Sequence, residues 1–486
     1  LKLFRKLFKQ TFIYGLATVL PRMLSFLLLP LYSSVMPPGV YGEVSLIFVW
    51  FAIFNVLLAY GMETSFFRFY NKEGDKEKVL STSLMAVGGS TLAFLLVALL
   101  LRGGLSQLLN IELQYLGYFV GILCLDALVI IPFARLRATE RPALYAVVKI
   151  ANICVNMGFN LFFLLLLPEL AGGAEGGIWK ALYRPGYEVP YILISNVIAS
   201  GITLLILSGN YIRLSLVFDK ALFKRMLVYG LPVMLAGIAF TINEVFDKYL
   251  LTELLPADIA KTEMGKYAAC YRLAMFMTLF ATAFRLGIEP FFFSHATSDN
   301  PRRAYAQITN YFVVLGSVIL LAVVVFADLL KELFIRDQAY WEAMAIVPIV
   351  LLASFFLGIY HNLSVWYKVT DRTRFGAVIS LVGAVITIAV NFWFIPAYSY
   401  FASAWATLAA YGSMMLLSYF LGRRYYPIPY NLRKIGFYLG VSLLFSGLSF
   451  YVFNRQLIPG LLLLLVFLGL LYRMEKEVLL KLIRGK

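Results

Sequence analysis

The chain has 486 residues, 61% of them hydrophobic and 14% charged, with a formal net charge of +16. Charged residues approach a quarter of a soluble domain, so a soluble globular protein is excluded. The apolar runs are unbroken and helix-length, whereas a closed barrel would show short alternating segments. The sequence predicts an all-α integral membrane protein. His295 and His361 are its two histidines, and Cys124, Cys154 and Cys270 are far apart inside apolar runs. No HExxH, GxSxG or GxxxxGK[ST] occurs, so no zinc, triad or nucleotide chemistry is indicated, and no metal site or cofactor is expected.

The opening LKLFRKLFKQ is basic, but the apolar run after it is too long for a signal peptide and has no small-residue cleavage site. It reads as a retained first span. Spans are expected near 10–35, 40–67, 79–101, 113–138, 142–168 and 190–208. Eight more follow near 224–252, 265–294, 306–328, 341–367, 375–396, 400–421, 434–453 and 457–473, making fourteen. The longest connections, about 169–189 and 253–264, are too short for an independent domain. The first turn, PPGV at 37–40, has no acid, which speaks against glycosyltransferases and polymerases with acidic outer loops.

Lys and Arg fall mainly on the side of the N-terminus, so the positive-inside rule predicts both termini in the cytoplasm. The basic excess is then topological, with attraction to anionic membrane lipids as its consequence, and no nucleic acid is called for.

The chain also repeats itself. GMETSFFRF at 61–69 resembles GIEPFFFSH at 287–295, an offset of 226 that also takes Tyr41 to Tyr267. LRATERPA at 136–143 resembles YKVTDRTR at 367–374, an offset of 231 that also takes Asn160 to Asn391. Tyr14, Gly15 and Leu16 match Tyr229, Gly230 and Leu231 at 215, and the eleven-residue difference is expected in the loop after the seventh span. The division implied is a six-helix lobe at 1–212, a second at 213–421, and two additional spans with a basic tail at 422–486. Each lobe has an even number of spans, so both have the same orientation, with a cleft between them.

In ATVLPRMLSFLLLP at 17–30, Arg22 interrupts a run otherwise apolar enough to cross a membrane. A charge at the bilayer centre costs roughly 2.5–3.5 kcal/mol on insertion scales, so Arg22 must face protein, water or a ligand. Thr11, Gly15, Thr18, Arg22 and Ser25 recur at helical spacing and form one polar stripe. Lys149, Arg272 and Arg285 are further intramembrane cations, the last on a stripe with Thr278, Thr282 and Glu289. The acids are Glu63, Asp126, Glu244, Asp247 and Glu289. Structural pairing is one reading of these charges, with Arg285 and Glu289 one turn apart as the clearest case. No acid shares the stripe of Arg22, and a guanidinium suits phosphate because its planar fork donates two charge-assisted bonds and stays ionised. In TINEVFDKYL at 241–250, Glu244 and Lys248 could form a salt-bridged gate, or Glu244 or Asp247 could take up a coupling proton or sodium ion. His361 reads as a polar packing residue.

ATVLPRMLSFLLLPLYSSVMPPGVYGEVS in the first span, GMETSFFRFY ending the second and RLRATERPALYAVVKIANICVNMGFN across the fourth and fifth resemble the O-antigen (Wzx-type) polysaccharide-unit flippases. These belong to the multidrug/oligosaccharidyl-lipid/polysaccharide exporter superfamily. The resemblance implies a carrier in the bacterial inner membrane, not an enzyme, which moves a polyprenyl-diphosphate-linked oligosaccharide between leaflets by alternating access. It implies headgroup contacts at Arg22, with Thr18 and Ser25 on the same stripe and Lys149, Arg272 and Arg285 as secondary candidates. From the intramembrane charges themselves, gating or ion coupling is expected at Glu244, Asp247, Lys248, Glu63, Glu289 and Asp126, driven by a proton or sodium gradient or the membrane potential. Polysaccharide polymerase and assembly proteins are the implied protein partners. The lipid II flippases of this superfamily also have fourteen spans and cavity arginines, and their last two helices hold the polyprenyl tail. They generally show a Ser-Arg pair in the first span where this chain has Pro21 before Arg22. A multidrug exporter would be expected to have twelve spans and an acid-dominated cavity.

Overall fold

The computed structural model describes residues 15–173, 177–212, 217–294 and 300–483, and within these the side chains at 289–291, 293, 294 and 477–483 are not described. Thr11, Tyr14, His295 and the side chain of Glu289 therefore lie outside the described residues.

Fourteen helices are long and apolar enough to cross a membrane: α1 (Gly15–Val35), α2 (Pro38–Lys72), α3 (Lys76–Leu100), α4 (Leu113–Ala138), α5 (Pro142–Gly172), α6 (Glu188–Leu207), α7 (Lys220–Leu254), α8 (Ala257–Ile288), α9 (Pro301–Val325), α10 (Gln338–Val369), α11 (Arg374–Tyr398), α12 (Tyr400–Tyr425), α13 (Leu432–Val452) and α14 (Leu457–Lys476). No strand occurs among the described residues. Helices are the form in which one segment satisfies its own backbone groups in hydrocarbon.

On one side α4 packs against α2, α3 and α6, and α6 against α5. On the other, α7 packs on α11, α11 and α10 on α12, and α10 on α8 and α9. The last two helices, α13 and α14, lie against α9. The two groups meet where α2 runs along α7 and α8.

Glycines set the closeness of that seam. A Cβ on Gly42 would stand 1.9 Å from the Lys261 carbonyl oxygen, and one on Gly265 would stand 1.8 Å from that of Pro38. Near the basic face, Gly61 has φ +74°, and a Cβ there would stand 2.1 Å from the Gly230 carbonyl oxygen. Ser65 Oγ donates to Met226 O across the same contact at 2.9 Å. Backbone thus touches backbone at both ends of the seam, a closeness that only glycine permits.

Several spans are interrupted. Pro30 cannot donate to Phe26, and the α1 helix breaks at Leu27 and Leu28 before resuming at Leu29. Tyr60 and Gly61 turn left-handed inside α2. A 3₁₀ turn at Arg272–Ala274 interrupts α8, and π turns occupy Phe162–Leu166 and Leu448–Val452.

The repeated sequences adopt the same local geometry. Glu140 and Asp371 are both left-handed, at φ 52° and 56°. The preceding threonines donate back to Arg135 O and Trp366 O at 2.8 and 2.7 Å. The following arginine N–H groups reach Leu136 O and Tyr367 O at 2.9 and 2.8 Å. Asn160 and Asn391 each donate from Nδ2 to the carbonyl four residues earlier, at 2.8 and 2.7 Å.

The loop expected at 253–264 is a correction. α7 runs to Leu254 and α8 starts at Ala257, leaving Leu255 and Pro256 as the connection. ADIAKTEMGK is polar but rich in good helix formers, so hydropathy ends there while the helix does not. The eleven-residue difference between the repeats accordingly resides in longer helices rather than in a loop.

Candidate functional site

Two polar cavities open beside the α2 seam. The first lies among α1, α2, α7, α8, α10 and α12. Part of it, about 280 Å³, is lined by Glu244, Lys248, Arg272, Tyr271, Thr278 and Tyr411. A contiguous part of about 80 Å³ is lined by Arg22, Glu244, Thr278, Thr282, Arg285 and His361. Glu244, Thr278, Ser354 and Leu357 belong to both. The stripe Thr278, Thr282, Arg285 therefore does face a cavity.

Each cation here is placed by a local feature. Arg22 comes from the α1 segment before the Pro30 break. Arg272 opens the 3₁₀ turn of α8, which aims its guanidinium over the Tyr41 ring at 5.8 Å. Such a turn inside a helix is a common mark of a functional hinge. Glu244 has Arg22, Lys248 and Arg285 as its electrostatic neighbours.

Lys248 does not pair with the Glu244 carboxylate as the one-turn spacing suggested. Its Nζ meets Asp247 Oδ1 at 3.1 Å and donates to the Glu244 backbone oxygen at 3.3 Å. Asp247 is 1% exposed and also accepts from Tyr267 Oη at 2.6 Å. That carboxylate is thus committed to protein donors, while Glu244 faces the cavity. The Glu289 side chain lies outside the described residues, so its expected partnership with Arg285 has no structural account.

The second cavity, about 550 Å³, lies among α2, α4, α5, α6 and α7 and takes in Glu63, Asp126, Lys149, Asn152, Ser200 and Thr203. Its charges are individually answered. Asp126 Oδ1 accepts from Ser200 Oγ at 2.7 Å, Asn152 donates to Thr203 at 2.9 Å, and Lys149 Nζ stands 4.3 Å from the Phe133 ring centre. Glu63 pairs with Arg137 at 3.1 Å.

The predicted residues therefore divide. Arg22, Arg272, Arg285, Glu244 and Lys248 come together around one cavity, while Lys149, Asp126 and Glu63 line another. Thr18 and Ser25 do not line either cavity. His361 was expected as packing, and the structure places it on the wall beside Arg285 and near Phe240. Ser354, Leu357, Gly358 and His361 all line that wall, a three-and-four spacing on α10 that the sequence did contain. Tyr271, Tyr411 and Ser45 were not anticipated. No cluster of metal-ligating side chains occurs among the described residues.

Chemically, the first cavity gathers three arginines and a lysine whose charge Asp247 already balances, against Glu244 as the one lining carboxylate among the described residues. The surplus is cationic, which suits an anion carrying several oxygens. Both parts lie below the ~300–1,000 Å³ usual for ligand pockets. With backbone contact at both ends of the seam, this is a closed arrangement.

Comparison with known proteins accords with this geometry. The family described as polysaccharide biosynthesis protein matches residues 7–286, and the MatE family matches residues 232–393. No curated protein matches in sequence. Among solved structures, a lipid II flippase, MurJ, in an inward closed conformation superposes with TM-score 0.74 at 14% identity, covering 95% of this chain and 99% of that one. An inward-facing multidrug resistance MATE family transporter of the MOP superfamily gives 0.64 at 12%, covering 83% and 94%. A MOP superfamily transporter from Pyrococcus furiosus, described as having a binding pocket of reverse polarity, gives 0.57 at 12%, covering 88% and 96%. The fold is that of the MOP transporters.

Proposed function

This chain belongs to the polysaccharide biosynthesis protein family, and on that premise we propose that it is an alternating-access flippase. Its substrate in this reading is a polyprenyl-diphosphate-linked oligosaccharide, an O-antigen or other polysaccharide repeat unit, carried from the cytoplasmic to the outer leaflet of a bacterial inner membrane. The basic face is then cytoplasmic and holds both termini. The cationic surplus around Glu244 is the observation that carries this reading.

A diphosphate-sugar headgroup cannot shed its hydration into hydrocarbon, so a carrier must replace that water with fixed donors while the tail stays in lipid. Arg22, Arg272 and Arg285 supply donors that remain ionised, and Thr278, Thr282, Ser354 and the tyrosines supply hydroxyls. The cavity is too small in the closed arrangement for a saccharide, so the lobes separate at one end of the seam to admit it. Separation at Gly61 and Gly230 opens the cytoplasmic side, and separation at Gly42 and Gly265 opens the outer side.

Glu244 is the coupling residue in this scheme. Asp247 is held by Lys248 and Tyr267, whereas Glu244 reaches the same cavity as the headgroup, so uptake of a proton or sodium ion there and binding of an anion influence one another directly. Lys149, Asp126 and Glu63 act in the first lobe, holding α4, α5 and α6 in place during the movement.

Lipid II is the second reading, favoured by the likeness to MurJ over 95% of the chain. It uses the same diphosphate chemistry. A multidrug exporter is disfavoured by the cationic surplus.

The test is reconstitution of the full chain in vesicles with undecaprenyl-diphosphate-linked saccharide, lipid II or a lipophilic cation in one leaflet. The expected result is transfer of a diphosphate lipid that Arg22→Ala and Arg285→Ala abolish without loss of folding. Transfer of the cation alone, unaffected by either substitution, would overturn the proposal.

A further inference from the structure

The two lobes treat the same corner of the basic face differently. In the first lobe this corner lies where α3 starts, α6 ends and the chain runs on to α7. Its charges pair internally: Lys78 meets Asp219 at 2.6 Å and Arg225 meets Glu73 at 3.0 Å. Asp219 also accepts from Leu222 N–H at 2.9 Å and so caps α7.

In the second lobe the corner lies where α9 starts, α12 ends and the chain runs on to α13. Here Arg302, Arg303 and Arg423 line a cavity of about 430 Å³ together with Asn300, Tyr419 and Tyr430, and no lining residue among the described residues is acidic. None of the three arginines has an ion-pair partner among the described residues. Arg302 is held in place by stacking over the Tyr426 ring at 4.5 Å, and Pro427 and Pro429 stiffen the wall beside it. Asn300 makes no side-chain cap to the 25-residue helix behind it. The first-turn N–H groups of Arg302 and Arg303 have no intrahelical acceptor and add to the positive field.

Basic residues at this face also serve topology, but topology needs only their presence. It does not require three arginines to line one stiffened hollow with no acidic lining residue among the described residues. The surroundings point to a lipid rather than a free ion. Leu416 and Phe420 on α12 and Leu432 and Phe437 on α13 are exposed apolar side chains flanking this corner, which suits acyl or prenyl chains descending from a headgroup held by the arginines.

We propose that this hollow is a second anion site, separate from the central cavity, that binds the phosphate of a lipid headgroup at the membrane boundary. The phosphate takes bidentate bonds from Arg303 and Arg423 and the positive end of α9, while Arg302 keeps its place on Tyr426. An anionic phospholipid and the polyprenyl-diphosphate carrier present the same group.

The test is native mass spectrometry of the full chain in the Arg22→Ala background, which weakens the central cavity by removing one of its three arginines. The probes are phosphatidylglycerol, phosphatidylcholine, undecaprenyl diphosphate and inorganic phosphate. Retention of phosphatidylglycerol or undecaprenyl diphosphate over phosphatidylcholine is expected, weakening about fivefold for each of Arg302→Gln, Arg303→Gln and Arg423→Gln. The anionic lipid retained identifies the source. Arg423→Lys, which keeps the charge, gives an intermediate loss and serves where Arg423→Gln does not fold. Asp299 precedes Asn300 and lies outside the described residues, so Asp299→Asn is the companion variant. Retention insensitive to all three arginines, binding of inorganic phosphate alone, or lipid binding that emerges only in Asp299→Asn would each overturn the proposal.

Discussion

The two cavities beside the seam both carry charged side chains of both signs and use them in opposite ways. In the first lobe, Asp126 is satisfied by Ser200, Glu63 by Arg137, and Lys149 lies over Phe133. In the central cavity, Arg22 and Arg285 line one part and Arg272 the other, with Glu244 common to both, and none of the three has an ion pair of its own among the described residues. Intramembrane charge is therefore not by itself a mark of the substrate. A paired charge fixes helices, whereas a like-charged group left open to a cavity is costly to keep and makes sense when a counter-charge arrives from outside.

The largest effect that would break this contrast concerns the arginines. Loss of charge-assisted bonds at about 1.5–3 kcal/mol each predicts that Arg22→Ala or Arg285→Ala weakens diphosphate-lipid binding roughly ten- to a hundredfold. Lys149→Met, in the paired cavity, leaves binding within about twofold on the same scale. Equal losses in an affinity titration would show that the cavities are not distinct.

The seam is next. Gly42→Val or Gly265→Val places a side chain where backbone now sits, so that end of the seam can no longer close. A membrane-impermeant thiol reagent should label Ser45→Cys faster in either variant than in the parent, with transport lost. Unchanged labelling would remove the glycines from the gating account.

Asp247→Asn leaves the Lys248 ammonium, whose side chain is 13% exposed, without its anionic partner. Breaking a buried pair costs about 3–5 kcal/mol, read as a lower Tm. Glu244→Gln should preserve Tm and instead flatten the dependence of transport on pH or sodium. The reverse assignment of these two phenotypes would exchange their roles.

The smallest effect is at the first-lobe corner. The Lys78 ammonium and the Leu222 N–H hold the Asp219 carboxyl below the usual carboxylate range. A folded value below the unfolded one stabilises above about pH 4 and loses that contribution as the pH falls through the lowered value. The small Tm gap between the parent and Asp219→Asn should accordingly close in acid.

Much of this organisation was legible in the sequence because hydropathy reports depth and helical spacing reports a face. Fourteen spans, the Thr278, Thr282, Arg285 stripe and the matched Thr-Glu-Arg and Thr-Asp-Arg turns all follow from those two signals. Rotation about the helix axis and long-range partnership do not. Lys248 was set against Glu244 on spacing alone, whereas the neighbouring Asp247, supported by Tyr267 from α8, takes the ammonium. His361 was read as packing, and it does lie against Phe240 and Tyr360, but spacing on one helix could not show that α8 brings the same cavity to it. The 3₁₀ turn that presents Arg272 contains neither Pro nor Gly, so nothing local announces it.

The most direct measurement is native mass spectrometry of the purified full chain offered undecaprenyl-diphosphate-linked saccharide and a lipophilic cation in parallel, with Arg22→Ala and Lys149→Met beside the parent. The account predicts full retention of the diphosphate lipid by the parent and Lys149→Met, and in Arg22→Ala a fall of roughly tenfold or more, to the level that Arg302, Arg303 and Arg423 hold. Retention of the cation alone, indifferent to Arg22, would contradict it and make the central arginines structural.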